Sequence, residues 1–238
     1  MNKIKNFFKL IKENELILLY MLFGVALITA NCVGAKLFTL GFNMFGAPVV
    51  LTVGTIVYPF TFLITDVIGE RHGKKAATVA VIGGFLAQIM ACILIFLAQI
   101  LPAASIEVQA AYEAQLGQSF IFVIASLSGY ICSQTLDVFV FHKLRNYFLK
   151  KNNGKLGWTK WIYNNIATIS SQLVDTILYA VIAFGIGFGY GFDILLNMIL
   201  AQWIIKSILA LIDTPFFVLF TRNKKEKTEV VENTTEEK

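Results

Sequence analysis

Charge is scarce in this chain. Only 15% of its 238 residues are Asp, Glu, Lys or Arg, while 57% are apolar and the mean hydropathy is +0.70; a typical soluble domain carries about 25% charged residues. Histidine occurs twice and cysteine three times. His72 and His142 stand singly at the ends of apolar runs, so the sequence offers no histidine cluster for a metal. Cys32, Cys92 and Cys132 lie inside apolar runs without C-x-x-C spacing and read as packing residues. No G-x-x-x-x-G-K-[ST] phrase exists, which excludes a P-loop nucleotide site. Gly185, Gly187, Gly189 and Gly191 alternate without a preceding strand, which speaks against a dinucleotide loop and for a flexible or closely packed helix end. Neither a metal nor a cofactor is expected.

Long apolar runs take the place of these features. Six approach the roughly 20 residues needed to cross a ~30 Å hydrocarbon core: residues 16–38, 48–69, 76–101, 119–142, 162–188 and 194–220. In lipid such segments satisfy their backbones only as helices. The expected fold class is therefore all-α, a polytopic membrane protein with one domain of six transmembrane helices over residues 1–220. Residues 221–238, rich in Lys, Glu and Thr, have the composition of a disordered tail. The basic start ahead of the first run imitates a signal peptide, but the run continues through Asn31 without a small-residue cleavage site and is expected to be a retained helix. Gly83-Gly84 and the Ala26-x-x-x-Ala30 step suggest close helix approach.

The distribution of Lys and Arg gives an orientation. Lys3, Lys5, Lys9 and Lys12 precede the first run; Arg71, Lys74 and Lys75 follow the second; Lys143, Arg145, Lys150, Lys151, Lys155 and Lys160 follow the fourth; Arg222, Lys224, Lys225 and Lys227 follow the sixth. The loops of the other side, residues 40–47, 102–118 and 189–193, contain no Lys or Arg. The positive-inside rule then puts both termini in the cytoplasm and the protein in the cell (inner) membrane. The net charge of +5 is a topology signal with a weak pull toward anionic lipid, and no nucleic-acid partner is needed to explain it.

Against this apolar background, a polar phrase occurs twice: Ser133-Gln134-Thr135-Leu136-Asp137 and Ser171-Gln172-Leu173-Val174-Asp175. Its hydroxyl, carboxamide and carboxylate fall at i, i+1 and i+4, one helix face. Gln134 lies eight residues from His142 and Gln172 eight from Asn164, which puts both about 12 Å into the core on antiparallel helices. The two phrases are expected to meet and form a polar chamber, with Asn31, Asn165 and Lys206 in reach. Asp137, Asp175 and Lys206 unpaired would each cost roughly 2.5–3.5 kcal/mol at a helix centre, so they must be paired, hydrated or neutral. Such groups mark transport pathways or binding sites more often than they serve as interhelical glue. Asn, Gln and Asp together supply the donors and acceptors that a planar heterocycle with an amide edge requires.

The runs Ala30-Asn31-Cys32-Val33-Gly34-Ala35-Lys36-Leu37-Phe38 and Gly54-Thr55-Ile56-Val57-Tyr58-Pro59-Phe60-Thr61-Phe62-Leu63-Ile64-Thr65-Asp66-Val67-Ile68-Gly69-Glu70, with the two Ser-Gln-x-x-Asp phrases, resemble the queuosine precursor transporter family, also called vitamin-uptake-transporter-like. The likeness extends over all six runs and is specific in combination. It implies uptake of 7-cyano- or 7-aminomethyl-7-deazaguanine, or of queuine, for a modified transfer-RNA nucleoside. On that footing, Asp137 or Asp175 would accept from the amino-amide edge, Gln134 and Gln172 would serve the carbonyl and ring nitrogens, and Asn31 would orient the base. Lys206 would keep the carboxylates ionised. Asp66 and Glu70, beside Arg71, Lys74 and Lys75, are expected to gate the inner side by ion pairs, and Asp213 is grouped with them as a gating or coupling residue. The expected partners are the small-molecule base and the bilayer. Proton coupling, facilitated diffusion, energising partner subunits and a homodimer all stay open. Two other readings remain beside this one: a substrate-binding subunit of an energy-coupling-factor transporter, and, more distantly, an intramembrane enzyme, for which no catalytic motif is present.

Overall fold

The computed structural model describes residues 9–34, 36–44, 47–117 and 120–221. The expected tail beyond residue 221 lies outside them. Helix α1 (Glu15–Gly34) leads into a short antiparallel hairpin, β1 (Leu37–Met44) and β2 (Ala47–Thr52), and then into α2 (Gly54–Ile100), α3 (Ile106–Leu116), α4 (Phe120–Lys151), α5 (Thr159–Ala180) and α6 (Phe192–Thr221). A π-helical turn, Val181–Ile186, extends α5. Five helical stretches are long and apolar enough to cross a membrane. The chain is an all-α membrane protein, with the hairpin as its one described β element.

The hairpin departs from the sequence reading. The apolar run expected to open the second helix at residue 48 is strand through Thr52, with Leu37 opposite Thr52 and Thr39 opposite Val50. Val49, Val50 and Thr52 are β-branched, and the helix begins only at Gly54.

A straight α2 of 47 residues would be about 70 Å long. It is not straight, because Gly73 (φ 85°, ψ 174°) breaks it with a backbone conformation essentially reserved for glycine. Contacts with α4 give the sense of the two arms. Ahead of Gly73, Thr65 meets Gln134 at 3.5 Å and Glu70 meets Arg145 at 2.7 Å, so both chains advance together. Beyond it, the Tyr130 hydroxyl donates to the Val81 carbonyl at 2.9 Å and Gln88 to Ser126 at 3.1 Å, so one chain advances as the other retreats. The arms therefore run in opposite directions.

Packing is inside-out relative to a soluble bundle. Val25, Leu86, Phe96 and Ile212 are exposed, whereas Thr61, Ser133, Gln134, Asp137 and Ser171 are fully buried. With lipid as apolar as Leu, burial of oil drives little here, and close packing plus interhelical hydrogen bonds hold the helices together. Gly84 is the close approach expected of the glycine pair: a Cβ there would come within 2.5 Å of Phe23 and the Tyr130 hydroxyl, while Gly83 meets nothing. Phe23, Leu27, Ile68, Val81 and Tyr130 form one apolar cluster and Val67, Phe141, Tyr163 and Phe217 another. The two clusters flank the polar seam that carries the site.

Candidate functional site

Helix α5 supplies the spine of that seam. Its buried residues Thr168, Ser171, Gln172 and Asp175 recur at three- and four-residue steps and so share a face. Asp175 lies near the middle of α5 with its π-helical extension, and Lys206 near the middle of α6. Lys206 Nζ is 2.8 Å from Asp175 Oδ2 and donates also to Thr176 Oγ1 at 3.2 Å. The ammonium sits 5.7 Å from the centre of the Tyr58 ring, within cation–π range. Tyr58 stands beside both Asp175 and Ser133, one residue from each copy of the repeated phrase. Gly129 of α4 lets the carboxylate in: a Cβ there would lie 2.9 Å from Asp175 Oδ1.

Above this floor stands a cavity of about 690 Å³. Its polar lining includes Asn31, Thr55, Ser126, Asp175, Gln202 and Lys206. Ser126 Oγ donates to Asn31 Oδ1 at 3.4 Å, backed by Gln88. One wall is aromatic: Phe184 packs against Phe122, Tyr179, Phe188 and Tyr190 with ring centres about 6 Å apart, and all five rings line the space. Residues Glu113, Ala114, Gln115 and Gly117 complete the rim. The cavity thus lies at the end of the bundle whose connections carry a single basic residue, Lys36.

Of the residues singled out by sequence, Asn31, Asp175 and Lys206 meet at this cavity, and Gln134, Asp137 and Gln172 are not among its lining. The repeated phrases do meet, but as a packed seam. Ser171 Oγ donates to Asp137 Oδ1 at 2.9 Å, and Gln134 exchanges 3.5 Å contacts with Thr61 and Thr65 of α2. Gln172 is buried, with its side-chain oxygen unpaired among the described residues. Asp66 lies against Asp137 and accepts from Thr168 at 3.4 Å. Asn165, expected near the chamber, instead ties α5 to Thr214 of α6 at 2.8 Å. Asp213 is half-buried on α6 and is not part of the lining. Thr55, Tyr58, Ser126, Gln202 and the five rings are among the lining residues that sequence reasoning did not place in the site. Spacing alone held a signal for Ser126: it continues the helix face of Tyr130, Ser133 and Asp137.

At the opposite, basic end lies a charged cluster. Glu70 accepts from Arg145 Nε at 2.7 Å, from Lys160 Nζ at 3.1 Å and from the Tyr163 hydroxyl at 2.9 Å. Arg71 bonds Glu15 and the Phe220 carbonyl. The ion pairs expected at Glu70 therefore exist, but their cations come from α4 and α5; Arg71 is engaged elsewhere, and Lys74 lies over the Phe139 ring. Trp158 and Trp161 are exposed at this end, where an aromatic belt meets the headgroups.

The cavity, the ion pair at its floor and the Glu70 cluster thus set charged and polar groups among helices long and apolar enough to cross a membrane. A family model described as "Putative vitamin uptake transporter" matches residues 52–220. The chain belongs to that transporter family. It is also 32% identical over 204 residues, covering 83% of this chain and 81% of the relative, to a "Probable queuosine precursor transporter" of Bacillus subtilis (strain 168). No solved structure matches. This family member is a multi-pass membrane transporter, and family and relative alike are named as transporters, which sets aside the intramembrane-enzyme reading. In the transporter, the matched stretch begins at Thr52 and so includes every lining residue named above except Asn31.

Proposed function

We propose that the transporter takes up 7-deazaguanine precursors of queuosine across the inner membrane, binding the base in the cavity above Asp175 and Lys206. The observation that carries this reading is the composition of that cavity. Its volume of about 690 Å³ falls in the ~300–1,000 Å³ range of small-molecule sites. A guanine-like edge presents an N1–H and an exocyclic amine to one carboxylate, the role of Asp175; its O6 accepts from Lys206 or from the carboxamides of Asn31 and Gln202. The aromatic wall around Phe184 supplies faces on which a flat ring stacks. The name of the Bacillus subtilis relative supports the same substrate class.

Six crossings follow in this reading: α1, the two arms of α2, α4, α5 with its π-helical turn, and α6. Both termini are cytoplasmic, the cavity opens outward and the Glu70 cluster closes the inner side. The basic loops at one end support this orientation, and the exposed Trp158 and Trp161 fit a membrane–water interface there. Asp66 and Asp213 are not part of the closing cluster in this reading; only Glu70 is.

The test is a thermal-shift screen of the purified protein with the 7-cyano base, the 7-aminomethyl base, queuine and guanine. Preferential stabilisation by the 7-deazaguanines is expected, growing with ligand concentration. Stabilisation by none of them removes the substrate class. Uptake by the chain alone in proteoliposomes distinguishes a self-sufficient carrier from a substrate-capturing subunit.

A further inference from the structure

One buried group of acids is left unused by the cavity. Asp66 on the first arm of α2 and Asp137 on α4 are 3% and 0% exposed, and their carboxyl groups reach the same face of α5 within one turn of each other. Thr168 Oγ1 donates to Asp66 Oδ2 and Ser171 Oγ to Asp137 Oδ1. Asp137 Oδ2 is fully buried and finds no donor among the described residues. Two ionised carboxylates buried against one helix face repel each other, and a single proton held by the pair relieves that repulsion, as in paired-aspartate sites generally. An orphaned buried acceptor costs about 1–3 kcal/mol, more when charged, and the same proton removes that cost.

The surroundings agree on charge. The other titratable groups facing the pair are Glu70, one turn along α2, and Tyr163 of α5. His142 of α4 lies against the intervening Gly69. Arg145 and Lys160 engage Glu70, so with one proton on the aspartate pair, two negative charges face two positive ones. Lys206 is committed to Asp175 and does not enter this sum.

We propose that Asp66 and Asp137 form a proton site, distinct from the substrate cavity, through which the transporter couples uptake to proton entry. The inference rests on the transport reading above. Helix α5 links the two functions: Asp175 faces the cavity, Ser171, one turn or about 6 Å inward, holds Asp137, and Thr168 holds Asp66. With the cavity open outward the pair is buried and keeps its proton. When the inner Glu70 cluster separates, water reaches the pair, the proton leaves to the cytoplasm, and a single carboxylate charge is added at the pair; a proton from outside, entering by way of the cavity during the return step before the seam closes over the pair, removes it.

The experiment uses the full chain in proteoliposomes with the labelled 7-aminomethyl base. Wild type is expected to accumulate the base when the outside is acidic, with matching alkalinisation of a weakly buffered external medium. Asp66→Asn and Asp137→Asn, whose amides replace a protonated carboxyl in shape, are expected to lose gradient-driven accumulation at least tenfold while retaining exchange of internal for external base. Exchange without any response to the pH gradient in wild type overturns the proton site and leaves the transport reading standing. Accumulation driven by a sodium gradient, or undiminished pH-driven accumulation in either folded variant, also overturns it. Absence of both uptake and exchange in wild type overturns the transport reading itself. The wild-type proton flux keeps the proposal testable should either variant fail to fold.

Discussion

Lys206 Nζ and Asp175 Oδ2 stand 2.8 Å apart in the middle of two neighbouring helices, at the floor of a cavity about 690 Å³ in volume. Their side chains are 12% and 11% exposed, so removing either one leaves the other buried without its counter-charge. Lys206→Met strands a buried carboxylate and is expected to destabilise the protein by about 3 kcal/mol. Adding Asp175→Asn should restore most of that stability without restoring binding of the base. Thermal unfolding of the single and double variants in detergent checks this; a double variant no more stable than Lys206→Met contradicts it.

Gly129 determines how the carboxylate sits. A Cβ at this position would approach Asp175 Oδ1 to 2.9 Å, so Gly129→Ala must push the carboxylate aside. Affinity for the 7-aminomethyl base should fall about tenfold, or ~1.4 kcal/mol, with the fold retained. Titration calorimetry on the folded variant reads the effect, and unchanged affinity would remove Asp175 from contact with the base.

Gly73 holds the reversal between the two arms of α2 at φ 85° and ψ 174°. Gly73→Ala forces a side chain into that conformation at a cost of about 1–3 kcal/mol. A lower unfolding temperature is expected, whereas Gly83→Ala, which meets nothing, should leave it unchanged. Equal effects at the two positions would argue against a strained turn.

The Glu70 cluster makes a different prediction. Glu70→Gln leaves Arg145 and Lys160 facing each other without their carboxylate, while Tyr163→Phe removes one hydrogen bond and no charge. The first should open the inner end and expose Ser171→Cys, in a background lacking the three native cysteines, to a membrane-impermeant thiol reagent supplied from the cytoplasmic side. Tyr163→Phe should change that labelling little. Indistinguishable labelling in the two backgrounds would mean that the cluster is not a gate.

Helix and bilayer physics made most of the architecture legible. The runs of ~20 apolar residues required helices, and the basic residues between 70 and 76 already separated the two arms that Gly73 divides. Residues 47–52 were not legible as strand, because an apolar β-branched run of that length reads equally as the start of a buried helix. At the site, intramembrane cost singled out Asp175 and Lys206 correctly as groups in need of partners. The same reasoning could not tell which polar residues face a cavity. Gln134 finds Thr61 and Thr65, and Asp137 finds Ser171 and Asp66, through rotations of α2 and α4 that no helical spacing encodes. Tyr58 escaped notice because an aromatic residue in a membrane helix usually packs against lipid or neighbours, and only the folded arrangement brings it beside Asp175 and Lys206 at the cavity.

The central claim is that Asp175 reads the base in the cavity. Equilibrium binding of labelled 7-aminomethyl-7-deazaguanine to wild type and to folded Asp175→Asn tests it most directly. Saturable binding to wild type, weakened at least tenfold in Asp175→Asn and displaced by unlabelled 7-cyano base, is the expected result. Equal affinity in the two proteins, or no saturable binding to wild type, would contradict it.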